Sequence, residues 1–86
     1  MKYLIVHFKN KTSLYTFSKI LKNYNINHSI INTPNSISRS CSLSIKTEIF
    51  YKNSIINTLE TSRINDFAGI FIIERHGFNE RIQRLY

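Results

Sequence analysis

Two short, nearly continuous apolar segments, one close to each end of the chain, constrain the fold most strongly. Residues 3–8 read YLIVHF and residues 67–74 read FAGIFIIE. Segments of this length that are apolar at successive positions and rich in β-branched and aromatic residues are typical of strands with both faces covered. We therefore predict a first strand over Tyr3–Phe8 and a fourth strand over Phe67–Glu74.

Between these segments the hydrophobic spacing changes from the helical period to the strand period and back. From about Thr12 to Tyr24 apolar residues recur every three or four positions, which predicts an amphipathic helix. Residues 28–32 (HSIIN) predict strand two, and the alternation over residues 42–49 predicts strand three. A second helix is predicted from residue 51 or 53 to residue 63, although its Asn and Thr content gives it a weak intrinsic propensity.

The resulting order, β-α-β-β-α-β, favours one compact arrangement. We predict an α+β fold of the ferredoxin-like type, in which a four-stranded antiparallel sheet of order 4-1-3-2 carries both helices on one face. At 86 residues the chain is expected to form a single domain, residues 1–86, with a basic C-terminal tail from about residue 77.

The charge and the amino terminus restrict the classes of function. The formal net charge of +7 is compatible with nucleic-acid binding, but the lysines are spread along the chain, so a scattered, solvated basic surface is the other interpretation. The first ten residues have neither the apolar length of a membrane span nor a small-residue cleavage pattern. We therefore expect a cytoplasmic protein that has no membrane partner.

The single cysteine, Cys41, is the candidate functional residue. One cysteine excludes an internal disulfide and a Cys-x-x-Cys metal or redox pair, and we predict neither a metal site nor a cofactor. In the predicted topology the start of strand three lies at the same end of the sheet as the first turn of helix one, which contains Thr12 and Ser13. The backbone N–H groups and the dipole of a helix start favour a thiolate over a thiol.

The residues before Cys41 add to this prediction. Arg39 is expected to add positive potential, and Ser38 and Ser40 are expected to offer hydroxyl groups to a bound anion or perthiolate. The alternative is that Cys41 is a small hydrophobic residue at a strand end, since free cysteine is among the most buried residue types. His7 is predicted to lie on the opposite face of strand one from Phe8, so no Cys–His pair is assigned.

Four stretches of the chain resemble a family of small bacterial domains described as selenium/sulfur carrier-like proteins. These are YLIVHF, KILKNYNI, TPNSISRSCSLSIK and AGIFIIE, and together they extend over nearly the whole chain. The family pattern around the cysteine is matched by Pro34, Ser38 or Ser40, Cys41, Leu43 and Lys46. The chain departs from the pattern at Ser42 and Asn25, where the family tends to have glycine, which puts in doubt any role that requires a bare backbone after the cysteine.

The resemblance implies a carrier in which Cys41 holds sulfur or selenium as a persulfide-like adduct. Such a protein takes the atom from a donor protein and passes it to an acceptor protein, so it is a non-catalytic carrier rather than an enzyme. No cofactor is implied. A basic surface suits docking to acidic partner proteins as well as it suits RNA.

Two other functions and one oligomeric state follow from the same pattern. RNA-recognition domains share this element order, but predicted strand three offers no aromatic residue on its open face, which argues against their usual mode of binding. A small regulatory or assembly module with a purely structural cysteine is the third possibility.

Because helices cover only one face of the predicted sheet, we expect a homodimer through the open face, unless the tail with Phe78, Leu85 and Tyr86 folds across it.

Overall fold

The computed structural model describes residues 2–37, 42–62, 64 and 67–85 of the chain. These residues form five strands and two helices. A single 3₁₀ turn, Ile49–Tyr51, precedes the second helix. In chain order the elements are β1 (Lys2–Phe8), α1 (Lys11–Asn23), β2 (His28–Asn32), β3 (Leu43–Glu48), α2 (Lys52–Ser62), β4 (Phe67–His76) and β5 (Asn79–Arg84).

The five strands form one antiparallel sheet in the order β2-β3-β1-β4-β5. The prediction of a four-stranded, ferredoxin-like sheet of order 4-1-3-2 is therefore wrong, although the fold is still α+β. The difference arises because residues 79–84, which we expected in a basic tail, form a fifth strand beside β4.

A tight turn explains why the chain returns along β4. Gly77 has a φ of +61°, a conformation that glycine adopts without steric cost and that other residues rarely adopt. Gly77 and Phe78 are the only two residues between β4 and β5, and glycine at the first central position is typical of a two-residue type II′ hairpin. The last strand is exposed at most positions, which is why its sequence, NERIQR, lacks the apolar alternation of a strand with one buried face.

The main core lies between one face of the sheet and the two helices. Leu4, Val6 and Phe8 of β1 are almost completely buried against Phe17 of α1 and Ile55 of α2. The rings of Phe8 and Phe17 are 5.5 Å apart and inclined at 46°, a favourable tilted contact. The remaining buried members of this core are Leu14, Leu21, Ile26, Ile45, Leu59 and Ile70.

Helix α1 has a specific hydrogen-bonded cap at each end. The side chain of Asn10 accepts a hydrogen bond from the Ser13 N–H at 2.8 Å, so Asn10 is the N-cap. At the other end, Asn25 adopts a left-handed conformation with φ of +58°, and the Ile26 N–H donates to the Leu21 carbonyl at 3.0 Å. This is a Schellman motif, in which the contact between buried Ile26 and Leu21 closes the helix end.

The other face of the sheet carries no helix but is not open. Ile5 and Ile73 on this face are completely buried within the single chain. Lys46 lies over the ring of Tyr3 at 4.5 Å, and Arg84 lies over the ring of Phe71 at 5.7 Å. Ile5 and Ile73 therefore supply no exposed apolar surface, and the homodimer stays a prediction.

Neither Phe78 nor Leu85, which were expected to fold across that face, covers it. Phe78 is fully exposed at the tip of the β4–β5 hairpin, whereas Leu85 packs against the core on the helix side. The Leu85 N–H donates to the Ile70 carbonyl at 2.7 Å, which fixes the end of the chain along β4. Tyr86 lies outside the described residues. Neither of the two helices described is long and apolar enough to span a membrane.

Candidate functional site

The β2–β3 loop, residues 33–42, carries the cysteine and is closed at its base by hydrogen bonds between its first and last residues. The Thr33 N–H donates to the Ser42 carbonyl at 2.9 Å, and the Ser42 hydroxyl donates to Thr33 Oγ1 at 3.1 Å. Within the loop, the Ile37 N–H donates to the Pro34 carbonyl at 2.9 Å. Cys41 is bonded covalently to Ser42, so one end of its backbone is attached to this fixed base.

A cluster of polar side chains lies beneath the base of the loop. Thr33 Oγ1 is 2.6 Å from Ser44 Oγ and 3.2 Å from His7 Nδ1, and Ser44 Oγ is 3.3 Å from the same nitrogen. The Ser44 side chain is completely buried and Thr33 nearly so, whereas His7 is half-buried. Neighbouring strands β1 and β3 bring these groups together, because His7 and Ser44 are paired in the register.

The cluster favours a neutral imidazole. Burial lowers the pKa of His7 below its ordinary value of 6.5, because a desolvated site disfavours the charged form. Each hydroxyl has one proton, so a consistent assignment lets Ser42 donate to Thr33, Thr33 to Ser44, and Ser44 to the unprotonated Nδ1 of His7. The base of the loop is thus connected through three hydroxyl groups to one titratable side chain.

Four of the six predicted site residues lie outside the described residues. These are Ser38, Arg39, Ser40 and Cys41, and the predicted environment of the thiol remains a prediction. The other two, Thr12 and Ser13, lie in the first turn of α1. Ser13 is half-buried and Thr12 is exposed; the Thr12 carbonyl accepts a hydrogen bond from the Thr16 hydroxyl at 2.9 Å.

The start of α1 and the start of β3 lie at the same end of the sheet, as the strand register requires. His7 pairs with Ser44, which places Leu43 beside Phe8, the last residue before the turn into α1. The Ser13 N–H is already bonded to Asn10 Oδ1, so this donor of the helix start is occupied.

The polar cluster of His7, Thr33 and Ser44 was missed by sequence reasoning. Its members are separated by up to 37 residues in the chain, and each is an unremarkable polar residue in a strand or at its end. A signal was available in the alternation of β3. Ser44 lies on the face opposite Ile45, at the level of His7, and a small hydroxyl residue there predicts a polar contact across β1 and β3.

A concave groove lies between α1 and α2. It has a volume of about 730 Å³ and lies at the end of α1 where Tyr24 and Ile26 are found, far along the helix from the first turn. No charged side chain lines it. The described residues also contain no group of three His, Cys, Asp or Glu side chains with metal-site geometry.

Comparison with known families identifies the class of the protein. The model of the family described as "Putative Se/S carrier protein-like" matches residues 2–70 of the 86-residue chain. The chain belongs to this family. The matched part contains both helices, β1 to β3 and the whole β2–β3 loop with Cys41, whereas most of β4 and all of β5 follow it. No curated protein matches the chain significantly, and no solved structure does.

Proposed function

We propose that the protein carries sulfur or selenium as a persulfide-like adduct on Cys41 and passes the atom from a donor protein to an acceptor protein. The observation that carries this proposal is the family match over residues 2–70, which includes the only thiol of the chain. A single cysteine has no internal partner with which to form a disulfide, so an adduct on it persists until another molecule removes it. The proposed setting is the cytoplasm, where reductants keep thiols free.

The transfer step needs no oxidant or reductant. The Cys41 thiolate attacks the outer sulfur of a donor persulfide, R–S–SH, forming a new S–S bond while the donor S–S bond breaks. The donor cysteine leaves as a thiolate, and the outer sulfur keeps its proton, so the products are R–S⁻ and a Cys41 persulfide. Attack by an acceptor thiolate reverses these roles. A selenium atom in the outer position follows the same balance.

The geometry supports a role for the β2–β3 loop beyond connecting two strands. Its base is fixed by two hydrogen bonds between Thr33 and Ser42, next to the residue that would carry the adduct. Arg39, Ser38 and Ser40 are proposed to stabilise the negative charge of the thiolate or perthiolate, together with the first turn of α1 that contains Thr12 and Ser13. An electropositive surrounding lowers a thiol pKa and raises the fraction of reactive thiolate at neutral pH.

The pH dependence of Cys41 alkylation, followed by mass spectrometry, tests the proposal. Because the chain has one thiol, every alkylated molecule reports on Cys41. We expect the rate to reach half of its maximum well below pH ~8.5, the midpoint of an ordinary thiol. The same protein in urea is the matched control and should return to the ordinary midpoint.

Two outcomes count against the proposal. A thiol that stays unmodified until the protein unfolds is a buried structural cysteine, and a midpoint equal to that in urea indicates no activation.

A second experiment tests loading directly. Incubation with a small-molecule persulfide should add one sulfur atom to the wild type and none to the Cys41→Ser variant. Equal loading of both proteins would exclude Cys41 as the carrier residue.

A further inference from the structure

The net positive charge of the protein comes from one part of the chain. Residues 1–47 contain seven Lys and Arg residues and no Asp or Glu, whereas residues 48–86 contain five basic and five acidic residues. The whole net charge of +7 therefore comes from the part that forms β1, α1, β2 and the β2–β3 loop, together with nearly all of β3. Cys41 lies in this basic part, and α2, β4 and β5 form the neutral part.

Helix α1 concentrates this charge in one stripe. Lys11, Tyr15, Lys19 and Lys22 follow one another at intervals of four, four and three residues, so they lie on one side of the helix. All four are exposed, and Tyr15 retains 53% of its accessible surface. In the described part of the chain none of the three lysines forms an ion pair. We call these four residues the lysine stripe; it is about 16 Å long.

The start of the lysine stripe does not stabilise the helix that carries it, although Lys22 lies in the last turn, where a cation is favourable. Lys11 lies in the first turn, where a cation opposes the helix dipole, and the helix has no acidic residue in that turn to compensate. Lys19 and Lys22 are like charges three residues apart, which is mildly unfavourable. Residues that break a local rule without a gain in folding are expected at functional surfaces.

The lysine stripe faces the side of the molecule that leads to the cysteine. Ser18 is one turn before Lys22 on the same side of α1, and its Oγ is 2.6 Å from Nε2 of His28 in β2. This contact places the Lys22 side of α1 next to the start of β2, the edge strand that continues directly into the β2–β3 loop. The Lys11 end of the stripe lies at the same end of the sheet as the start of β3. Strand β3 begins directly after Cys41 and Ser42 in the chain.

We propose that the lysine stripe docks the acidic surface of the protein that exchanges sulfur or selenium with Cys41; this inference rests on the proposed function. Charge complementarity of this kind speeds association and selects partners. Tyrosine is enriched at protein interfaces and among their hot spots, so the exposed Tyr15 supplies an anchor within the stripe. A nucleic-acid surface would be expected to use arginine forks and several stacking rings, and the stripe has no arginine and one ring.

Two synthetic persulfidated peptides test this docking, one with glutamates around its cysteine persulfide and one with glutamines. We expect the acidic peptide to load Cys41 about 10-fold faster than the neutral peptide at low salt, and the advantage to disappear at high salt. The Lys19→Glu/Lys22→Glu variant should lose this advantage. The control, Lys52→Glu/Arg81→Glu, makes the same change of net charge in the neutral part and should keep it.

The outcomes separate docking from the proposed function. Equal loading by both peptides, or equal loss in both double variants, would overturn docking by the stripe while leaving Cys41 as a carrier. Failure of both peptides to load the wild type counts against the carrier function; docking is then judged by an NMR titration with the acidic peptide lacking the persulfide, which should shift the α1 amides. If the Glu variant unfolds, Lys19→Gln/Lys22→Gln replaces it.

Binding of single-stranded poly(U) tests the nucleic-acid alternative. The stripe would be assigned to nucleic acid if poly(U) bound the wild type more tightly than the acidic peptide does and if the stripe variant lost this binding.

Discussion

Two connections in this protein join neighbouring antiparallel strands, and they are built in opposite ways. The turn between β4 and β5 consists of two residues, Gly77 and Phe78, and is exposed. The β2–β3 loop has ten residues, and a buried polar cluster with Thr33 at its centre holds its base. Since two residues are sufficient to join such strands, the topology does not require the longer loop. Extra length on a rigid base is typical of a functional loop.

The largest effect on this comparison is expected from Thr33→Val, which keeps the shape of the side chain and removes its hydroxyl. The change removes the hydroxyl that donates to the buried Ser44 Oγ and that accepts from the Ser42 hydroxyl. We expect the free energy of unfolding in urea to fall by about 2 kcal/mol, as for other buried polar groups that lose a partner. Thr61→Val is the matched control, because the Thr61 hydroxyl bonds the Asn57 carbonyl on the exposed side of α2. Equal losses in the two variants would mean that the cluster contributes nothing special to the loop.

A smaller effect is expected at the short turn. Gly77→Ala places a side chain at φ of +61° with no neighbouring atom to clash with, so only backbone strain changes. This strain should lower the free energy of unfolding by about 1 kcal/mol. Gly77→Asn should lower it less, because asparagine tolerates this conformation. A change of the neighbouring exposed ring, Phe78→Ser, should alter stability by under about 0.5 kcal/mol, and a larger loss there would show that the turn is held by more than its glycine.

The smallest expected effect is the pH dependence of stability that His7 gives to the polar cluster beneath the β2–β3 loop. Burial lowers the pKa of His7 in the folded protein, so the unfolded chain takes up a proton first as the pH falls. The contribution of His7 to stability is therefore complete above its ordinary pKa of 6.5 and is lost as the pH falls through the lower pKa of the folded state. We expect wild type and His7→Gln to differ progressively between about pH 7 and pH 5 in urea unfolding. The His7→Gln change leaves every other titratable group in place, and a difference that is independent of pH would contradict the assignment.

Much of the fold was predictable because the period of the apolar residues changes clearly along the chain. The apolar runs of β1 and β4 and the helical spacing of α1 each identified an element to within a few residues. Strand β5 was not predictable in this way, because only Ile82 among its six residues is aliphatic. Its signal was Gly77, a turn residue after a long strand, rather than any alternation.

The candidate site was predictable in its position but not in its composition. The sequence indicated that the end of β1, the start of α1 and the start of β3 meet at one end of the sheet, and the register places Leu43 beside Phe8. It did not indicate that Thr33 joins His7 and Ser44, because hydrogen bonds between residues 26 and 11 positions apart depend on register and twist. Asn10 caps α1, whereas composition alone does not choose among the polar residues near the helix start.

Strand β5 has one more consequence, which concerns self-association. Strand β4, with its long apolar run, would otherwise present a row of unpaired backbone groups along residues such as Ile72 and Ile73, and such an edge can recruit a strand from another molecule. The β5 strand occupies that edge and exposes Arg81 and Arg84 in its place. Strand β5, which the hydrophobic pattern did not indicate, thus covers the edge of β4 with charged residues. It protects β4 from amyloid-like pairing with a strand of another molecule.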